Sequence, residues 1–172
     1  VAAPVSGGQA LSIRLPFRAP FASEYFLRWS AGRVVTGVAE VVDGQLRTAL
    51  RLPNRNGIAT LTIAKKWVQC DLDLDDVADL ARAVTQCRAM LDLDADPTHI
   101  DAALAAIKPI APFVKNLPGL RSPGSCDGFA TLVFAVLGQQ RSVAAARTLA
   151  GRIAGRVLGD RPDLAPFPSP EA

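Results

Sequence analysis

Apolar and polar residues alternate along LSIRL at 11–15, the period-two pattern of a strand with one buried face. FASEYFLRWSAG at 21–32 changes to helical spacing, with Ser23 near its start and Gly32 past its end. TGVAEVVDGQLRTALRL at 36–52 sets Asp43-Gly44 between two β-rich runs, which predicts a hairpin. NRNGIATLTIAKKWVQCDLDL at 54–74 adds two strands, with a turn at Asn56-Gly57 before the first and Lys65-Lys66 between them. The sum is a sheet of four or five mostly antiparallel strands. After residue 75 the period becomes 3.6. DDVADLARAVTQCRAMLDL at 75–93 places Val77, Leu80, Ala81, Val84, Cys87 and Leu91 on one stripe behind an aspartate N-cap, a helix able to cover the sheet. DPTHIDAALAAI starts on Asp96 as cap with Pro97 at the first helical position. From there to 158 the pattern is helical, interrupted by prolines, and no strand is expected within 128–158.

These patterns divide the chain into a small and polar leader (1–9), a sheet unit (10–93), a partial helical unit (94–160) and a proline-rich tail (161–172), with the boundary between Leu93 and Asp96. The fold class is α+β: an antiparallel sheet with two helices, followed by the first part of an all-α domain.

Composition narrows the setting. The 172 residues, 49% of them hydrophobic, suffice for one well-buried domain or two small ones sharing a core. The longest apolar runs, such as FATLVFAVLG, are half the roughly 20 residues that cross a bilayer, and no basic start precedes an apolar block and cleavage site. No membrane partner is expected. Cys70, Cys87 and Cys126 are odd in number and widely spaced, which suits neither a disulfide framework nor a zinc knuckle and fits a reducing cytoplasm. The chain begins at Val1 and stops at PFPSPEA, so it is expected to be part of something longer.

The net charge of +3 conceals a division. Residues 1–70 carry nine Lys/Arg against three Asp/Glu, residues 71–101 two against nine, and residues 115–161 seven against two. Basic segments attract polyanions by counterion release, although most charge runs are solvated faces.

Several features with chemical promise reduce to ordinary structure. DLDLDD at 71–76 and DLDADP at 92–97 lack the glycine and glutamate of an EF-hand loop and read as a strand with outward aspartates and a helix cap. His99 stands alone in a helix's first turn, at the surface. Cys126 has no histidine nearby in sequence, and no base is evident for a Ser or Cys nucleophile. LPGLRSPG at 117–124 approaches the Leu-Pro-Gly-Val/Ile-Gly hairpin that grips DNA phosphate, but its fifth residue is Arg121, and it reads as a plain inter-helix loop.

GQQRS at 138–142 is different. Ser142 can cap the next helix, whose Val143, Ala146, Leu149, Ala150, Ile153 and Val157 form a packing stripe. An ordinary bundle helix explains that much. The helix N-terminus also offers N–H groups and a positive dipole end to a phosphate, Gly138 permits close backbone approach, and Gln139, Gln140 and Arg141 can reach bases or sugars.

LPFRAPF at 15–21, GVAEVVDGQLRTALRL at 37–52, MLDLDADP at 90–97, PGLRSPGSCDGFATLVFAVLGQQRSVAAARTLAGRI at 118–153 and FPSPEA at 167–172 together resemble DNA-3-methyladenine glycosylase II, the alkylation-repair branch of the helix-hairpin-helix glycosylases. The likeness runs in order from about residue 10 to the end. It implies an N-terminal unit like half of the TATA-binding protein, followed by a helical domain with the lesion pocket. It also implies DNA repair in which an alkylated base is flipped from duplex DNA and its N-glycosidic bond is cut, without metal or redox cofactor. By the same resemblance Gln140 takes the place of the wedge that fills the gap left by the flipped base, within the DNA-binding run Gly138, Gln139, Gln140, Arg141 and Ser142. Trp29 matches an aromatic lent to the base pocket, while a tryptophan buried between helix and sheet is the competing reading. The family's hairpin, catalytic aspartate and neighbouring aromatics lie downstream of the part matching FPSPEA. No catalytic role therefore passes to Asp127, which reads as a helix cap, or to Asp160. The chain alone is expected to release no alkylated base. The polar leader resembles the linker of versions fused behind an Ada-type regulatory segment. Expected partners are alkylated duplex DNA, the rest of a glycosylase chain and such a segment; a non-catalytic DNA-binding or scaffold module is the alternative.

Overall fold

The computed structural model describes residues 9–171. The linker expected at 1–9 falls outside them except for Gln9, which opens a strand. Strands β1 (Gln9–Pro16), β2 (Ala39–Val42), β3 (Gln45–Leu50), β4 (Gly57–Ile63) and β5 (Trp67–Leu74) form one sheet in the order β1-β5-β4-β3-β2, antiparallel at every pairing. The Asp43-Gly44 turn joins β2 to β3 with both residues at positive φ, 51° and 75°, the mirror-image turn whose twist matches that of the strands. In β5 the predicted alternation holds: Val68, Cys70, Leu72 and Leu74 point inward and Asp71 outward.

Helix α1 (Ser23–Ala31) and helix α2 (Leu80–Met90) cover one face of the sheet. Phe26 from α1 and Ala83, Cys87 and Met90 from α2 meet Leu50, Leu61 and Leu72 in the main core. The three cysteines, distant in sequence, also converge there: Cys70 and Cys87 are buried, Cys126 packs against them, and all are free thiols.

Two local expectations change. Gly57 begins β4 and makes no turn of its own; a Cβ there would fall 2.7 Å from a Leu74 methyl and 3.0 Å from the Asp73 carbonyl, so close packing is what requires glycine. The α2 stripe keeps Leu80, Val84, Cys87 and Leu91 in or against the core but changes at its edge. A short 3-10 turn at Val77–Asp79 precedes α2, Val77 and Ala81 face solvent, and Ala83, Gln86, Cys87 and Met90 are buried. At the end of that turn the buried carboxylate of Asp79 accepts hydrogen bonds from the Asn54 and Arg55 backbone N–H groups and from Asn54 Nδ2. That anchor ties the start of the helix to the loop before β4.

Helices α3 (Pro97–Ala105), α4 (Ala111–Asn116), α5 (Gly128–Leu137) and α6 (Val143–Leu158) follow. Asp96, Asp127 and Ser142 cap α3, α5 and α6 by accepting from the backbone N–H of His99, Ala130 and Ala145. α6 buries only part of its expected stripe, Ala146 and Ala150. Ala146, Ala150 and Ala154 are its buried residues, whereas Val143, Ile153 and Val157 are exposed, because the small alanine face lets the helix approach α5 and the final segment closely. That final segment is not the loose tail its prolines suggested. Phe167 inserts beside Ala150 and Ala154, and Ala165 donates to the Gly37 carbonyl. Among the described residues no helix is long and apolar enough to cross a membrane.

Candidate nucleic-acid interface and base cleft

α5 stops at Gly138, and the chain turns through Gln139, Gln140 and Arg141 to the Ser142 cap of α6. Residues 139–142 are all exposed. Gln140 has φ of 55°, left-handed backbone that a glutamine rarely adopts, while Arg141 donates its N–H to the Gly138 carbonyl at 3.2 Å. The turn carries Gln140 at its apex with no contact tying the side chain into a core, whereas Ser142 is occupied as a cap.

Trp29 lies on α1, half-buried. It borders the helix–sheet space with Phe26, Leu46 and Thr48, and it also opens outward. It lines a cleft of about 660 Å³, whose other walls are Pro123 to Ser125, Phe134 of α5 and the Gly138 and Arg141 region. The turn and the aromatic thus border one space. The Arg33 guanidinium stacks over the Trp29 ring at 4.1 Å from its centroid and donates to the Trp29 carbonyl.

Two residues before the cleft's Pro123 lies Arg121, the residue that read as no more than a departure from a hairpin motif. It is 4% exposed, donates to the backbone carbonyls of Arg18 and Asp92, and lies over the rings of Phe17 and Phe21. Burial lowers its pKa from the ordinary arginine value, with the Asp92 charge opposing the shift. Beside it Gly119, at φ of 73°, sits where a Cβ would be 2.5 Å from the Pro20 carbonyl, and its own carbonyl accepts from Ala22 N–H just before α1. LPFRAPF, MLDLDADP and PGLRSPG, far apart in sequence, are therefore one knot. The signal available in the sequence was an arginine between prolines and glycines, a setting too irregular to assign a partner.

Asp127 caps α5 as expected and also pairs with Arg51 at 3.3 Å. His99 is exposed.

A family model described as AlkA N-terminal domain matches residues 12–127. The chain belongs to the AlkA N-terminal domain family. It is 47% identical over 154 residues to the Mycobacterium tuberculosis protein named "Probable bifunctional transcriptional activator/DNA repair enzyme AlkA", covering 88% of this chain and 31% of that one. Against the Escherichia coli protein named DNA-3-methyladenine glycosylase 2 the identity is 31% over 164 residues, 91% of this chain and 55% of the relative. The chain spans about a third to a half of these AlkA relatives. A solved 3-methyladenine DNA-glycosylase from Archaeoglobus fulgidus superposes with a TM-score of 0.80 at 18% identity, over 92% of this chain and 56% of that one, and shares the fold. The antiparallel sheet with its helices is thus the expected α+β unit, and recognition of an AlkA-type chain from its motifs agrees with the family match.

Proposed function

We propose that this chain is the N-terminal part of an alkylbase DNA glycosylase acting in base excision repair in the cytoplasm, with a sheet unit at 10–93 and the start of the helical domain at 94–160. Gly138 to Ser142 meet duplex DNA, Gln140 fills the space left by a flipped base, Arg141 contacts phosphate, and Trp29 forms one wall of the pocket receiving that base. The observation carrying this reading is the shared cleft. A loop can wedge a base stack only if its apex is exposed, and the flipped base needs an apolar, aromatic-walled space within reach. The turn at Gln140 and the cleft beside Trp29 supply both together. In the whole enzyme, bond cleavage requires a carboxylate to stabilise the cationic sugar as the base departs. That step is not assigned to Asp127, which is engaged by Ala130 N–H and Arg51.

The helical part supports a further partner, more of the same protein. Ile107, Phe113, Leu132, Val136 and Val157 stay exposed, Phe113 at 73%, and apolar surface on that scale calls for a covering partner. A fused regulatory segment before residue 9 is the second partner proposed, by likeness to the bifunctional mycobacterial relative.

The test is duplex binding measured against salt. Arg141→Ala is expected to weaken binding to every sequence alike and to lower the salt slope by about one counterion. In the complete enzyme Gln140→Ala is expected to impair excision from paired lesions more than from mismatched ones, because flipping costs least where pairing is weak. Equal losses on both substrates would remove the wedge assignment and leave Gly138 to Ser142 as an ordinary helix cap, whereas duplex binding without base release in the complete protein would favour a non-catalytic DNA-binding module.

A further inference from the structure

Two arginines finish the C-terminal end of α1. The last carbonyls of a helix have no partner within it and carry the negative end of its dipole, which suits a cationic donor. Arg33, just past the helix, donates to the Trp29 carbonyl at 3.3 Å. The carbonyl of Ala31, the last helical residue, takes its donor from Arg147 in the second turn of α6, 116 residues away in sequence, at 3.2 Å. Among the described residues no other hydrogen bond joins α1 to α6, and Arg147, half-buried, is in no ion pair. The bond stands beside the cleft, whose walls include Trp29 on α1 and Ala146 on α6. Trp29 precedes Ala31 by two residues, and the Gln140 turn enters α6 at Ser142, five residues before Arg147. At about 1.5 Å per residue that is roughly 8 Å of stiff helix. The other attachments of α5 and α6 lie elsewhere: Arg51 with Asp127 at the start of α5, and Phe167 beside Ala150 and Ala154 further along α6. A pivot of α6 about that packing would change the distance from Gln140 to Trp29, and the Arg147 bond opposes it.

We propose that Arg147 is a positioning residue, which by holding α6 to the end of α1 sets the spacing at which an alkylated base displaced by Gln140 meets the pocket wall at Trp29. The role rests on the wedge and pocket assignments of the proposed function. In the free protein water competes for the Ala31 carbonyl; a duplex laid over the cleft excludes that water and strengthens the bond when the spacing is needed. In this role Arg147 touches neither base nor phosphate. Its loss therefore leaves duplex affinity alone and slows the step in which the flipped base is held for cleavage. A displacement on the ångström scale is enough to cost about ten- to a hundredfold in rate. The loss is the same for paired and mismatched lesions, because it falls after pairing is broken. That signature separates Arg147 from Gln140, whose loss is greater on paired lesions, and from Arg141, whose loss appears in affinity and salt slope.

The experiment measures single-turnover excision and duplex affinity in the complete glycosylase, with one N-alkylated purine placed in a paired and in a mismatched duplex. Arg147→Met is expected to lower the excision rate at saturating enzyme by about tenfold or more on both duplexes, with the dissociation constant, its salt slope and the melting temperature of the parent. Arg147→Lys, which can still donate to the Ala31 carbonyl, should recover most of the rate. Arg147→Gln, too short to reach that carbonyl, should behave as Arg147→Met and takes its place if that variant does not fold. Unchanged excision in both, an equal loss in Arg147→Lys, or a loss confined to paired lesions would overturn the role. So would a lower salt slope at unchanged rate, which would make Arg147 a phosphate contact, or a rate loss that tracks a fall in melting temperature, which would make it a stability contact. Trp29→Ala and Gln140→Ala are measured alongside. If neither impairs excision, the wedge and pocket assignments fail and the spacing role with them; if both impair it and Arg147→Met does not, the spacing role alone is lost.

Discussion

Arg51 and Asp127 form an ion pair at 3.3 Å that ties the end of β3 to the first turn of α5. The same arginine donates to the Phe167 carbonyl, and the same aspartate accepts the Ala130 N–H as helix cap. One pair therefore joins the sheet, the helical part and the last segment. Asp127→Ala is expected to lower unfolding stability by about 1–2 kcal/mol, the range for a lost N-cap. Asp127→Asn, which can still cap, should lose less, and urea denaturation would rank the two. Equal losses would show that the ion pair, not the cap, carries the effect.

Asp79 should be costlier than its position at a helix start suggests. Its carboxylate satisfies three N–H groups of Asn54 and Arg55 from a buried site. Removing it in Asp79→Ala leaves those donors unpaired, a loss of about 2–3 kcal/mol. Faster amide hydrogen exchange at residues 52–57 is the accompanying signature to look for.

Arg121→Met should destabilise the knot at 16–22, 88–94 and 117–124 together, by about 2–3 kcal/mol, since it strips two part-buried backbone carbonyls of a charged donor. Hydrogen–deuterium exchange would then rise in all three segments at once. A rise confined to 117–124 would show that Arg121 only holds its own loop.

Gln140→Gly separates folding from binding. Glycine relieves the left-handed backbone at φ of 55°, so the variant should be as stable as the parent or more stable by about 0.5–1 kcal/mol. Duplex affinity should fall nonetheless if the side chain meets DNA. Unchanged affinity would count against the proposed contact.

Cys126 gives a pH dependence. Burial raises its thiol pKa, so in the unfolded chain the thiol ionises first, at about 8.5. Stability should therefore hold below that value and decline as pH rises through it toward the folded pKa. The decline should be smaller in Cys126→Ala. Alkylation by iodoacetamide at neutral pH should be slow for this thiol until denaturant is added.

The sheet unit was largely legible because its signals are local. A period of two in LSIRL and in VQCDLDL, Asp43-Gly44 between β-rich runs, and Asp96-Pro97 or Asp127 before apolar stretches each specify backbone geometry within a few residues. The exposed run at 139–142 was legible for the same reason, since an N-cap serine after a glycine ends one helix and starts another. The α6 stripe failed in part where periodicity alone was asked to choose a face. Ala146 and Ala150 were placed inward correctly, but alanines and valines both recur at helical spacing, and only the partner surface decides that Ala154 goes inward while Val143, Ile153 and Val157 stay out. In α2 the stripe was read correctly at Leu80, Val84, Cys87 and Leu91, and only its edge, where Ala83, Gln86 and Met90 are buried and Val77 and Ala81 are not, escaped the sequence.

By itself, then, the sequence determined the elements, their order, the antiparallel α+β class and the family likeness, because hydrophobic period, turn chemistry and capping act over distances shorter than one element. Tertiary structure alone decided that Arg121 links three separated motifs, that Phe167 of a proline-rich segment fills a core, that three remote cysteines meet, and that Arg33 covers Trp29 in a cleft shared with Arg141. Each of these is a contact across chain separations that carry no periodic signal, set by packing and by the need of buried polar groups to find partners wherever the fold brings them.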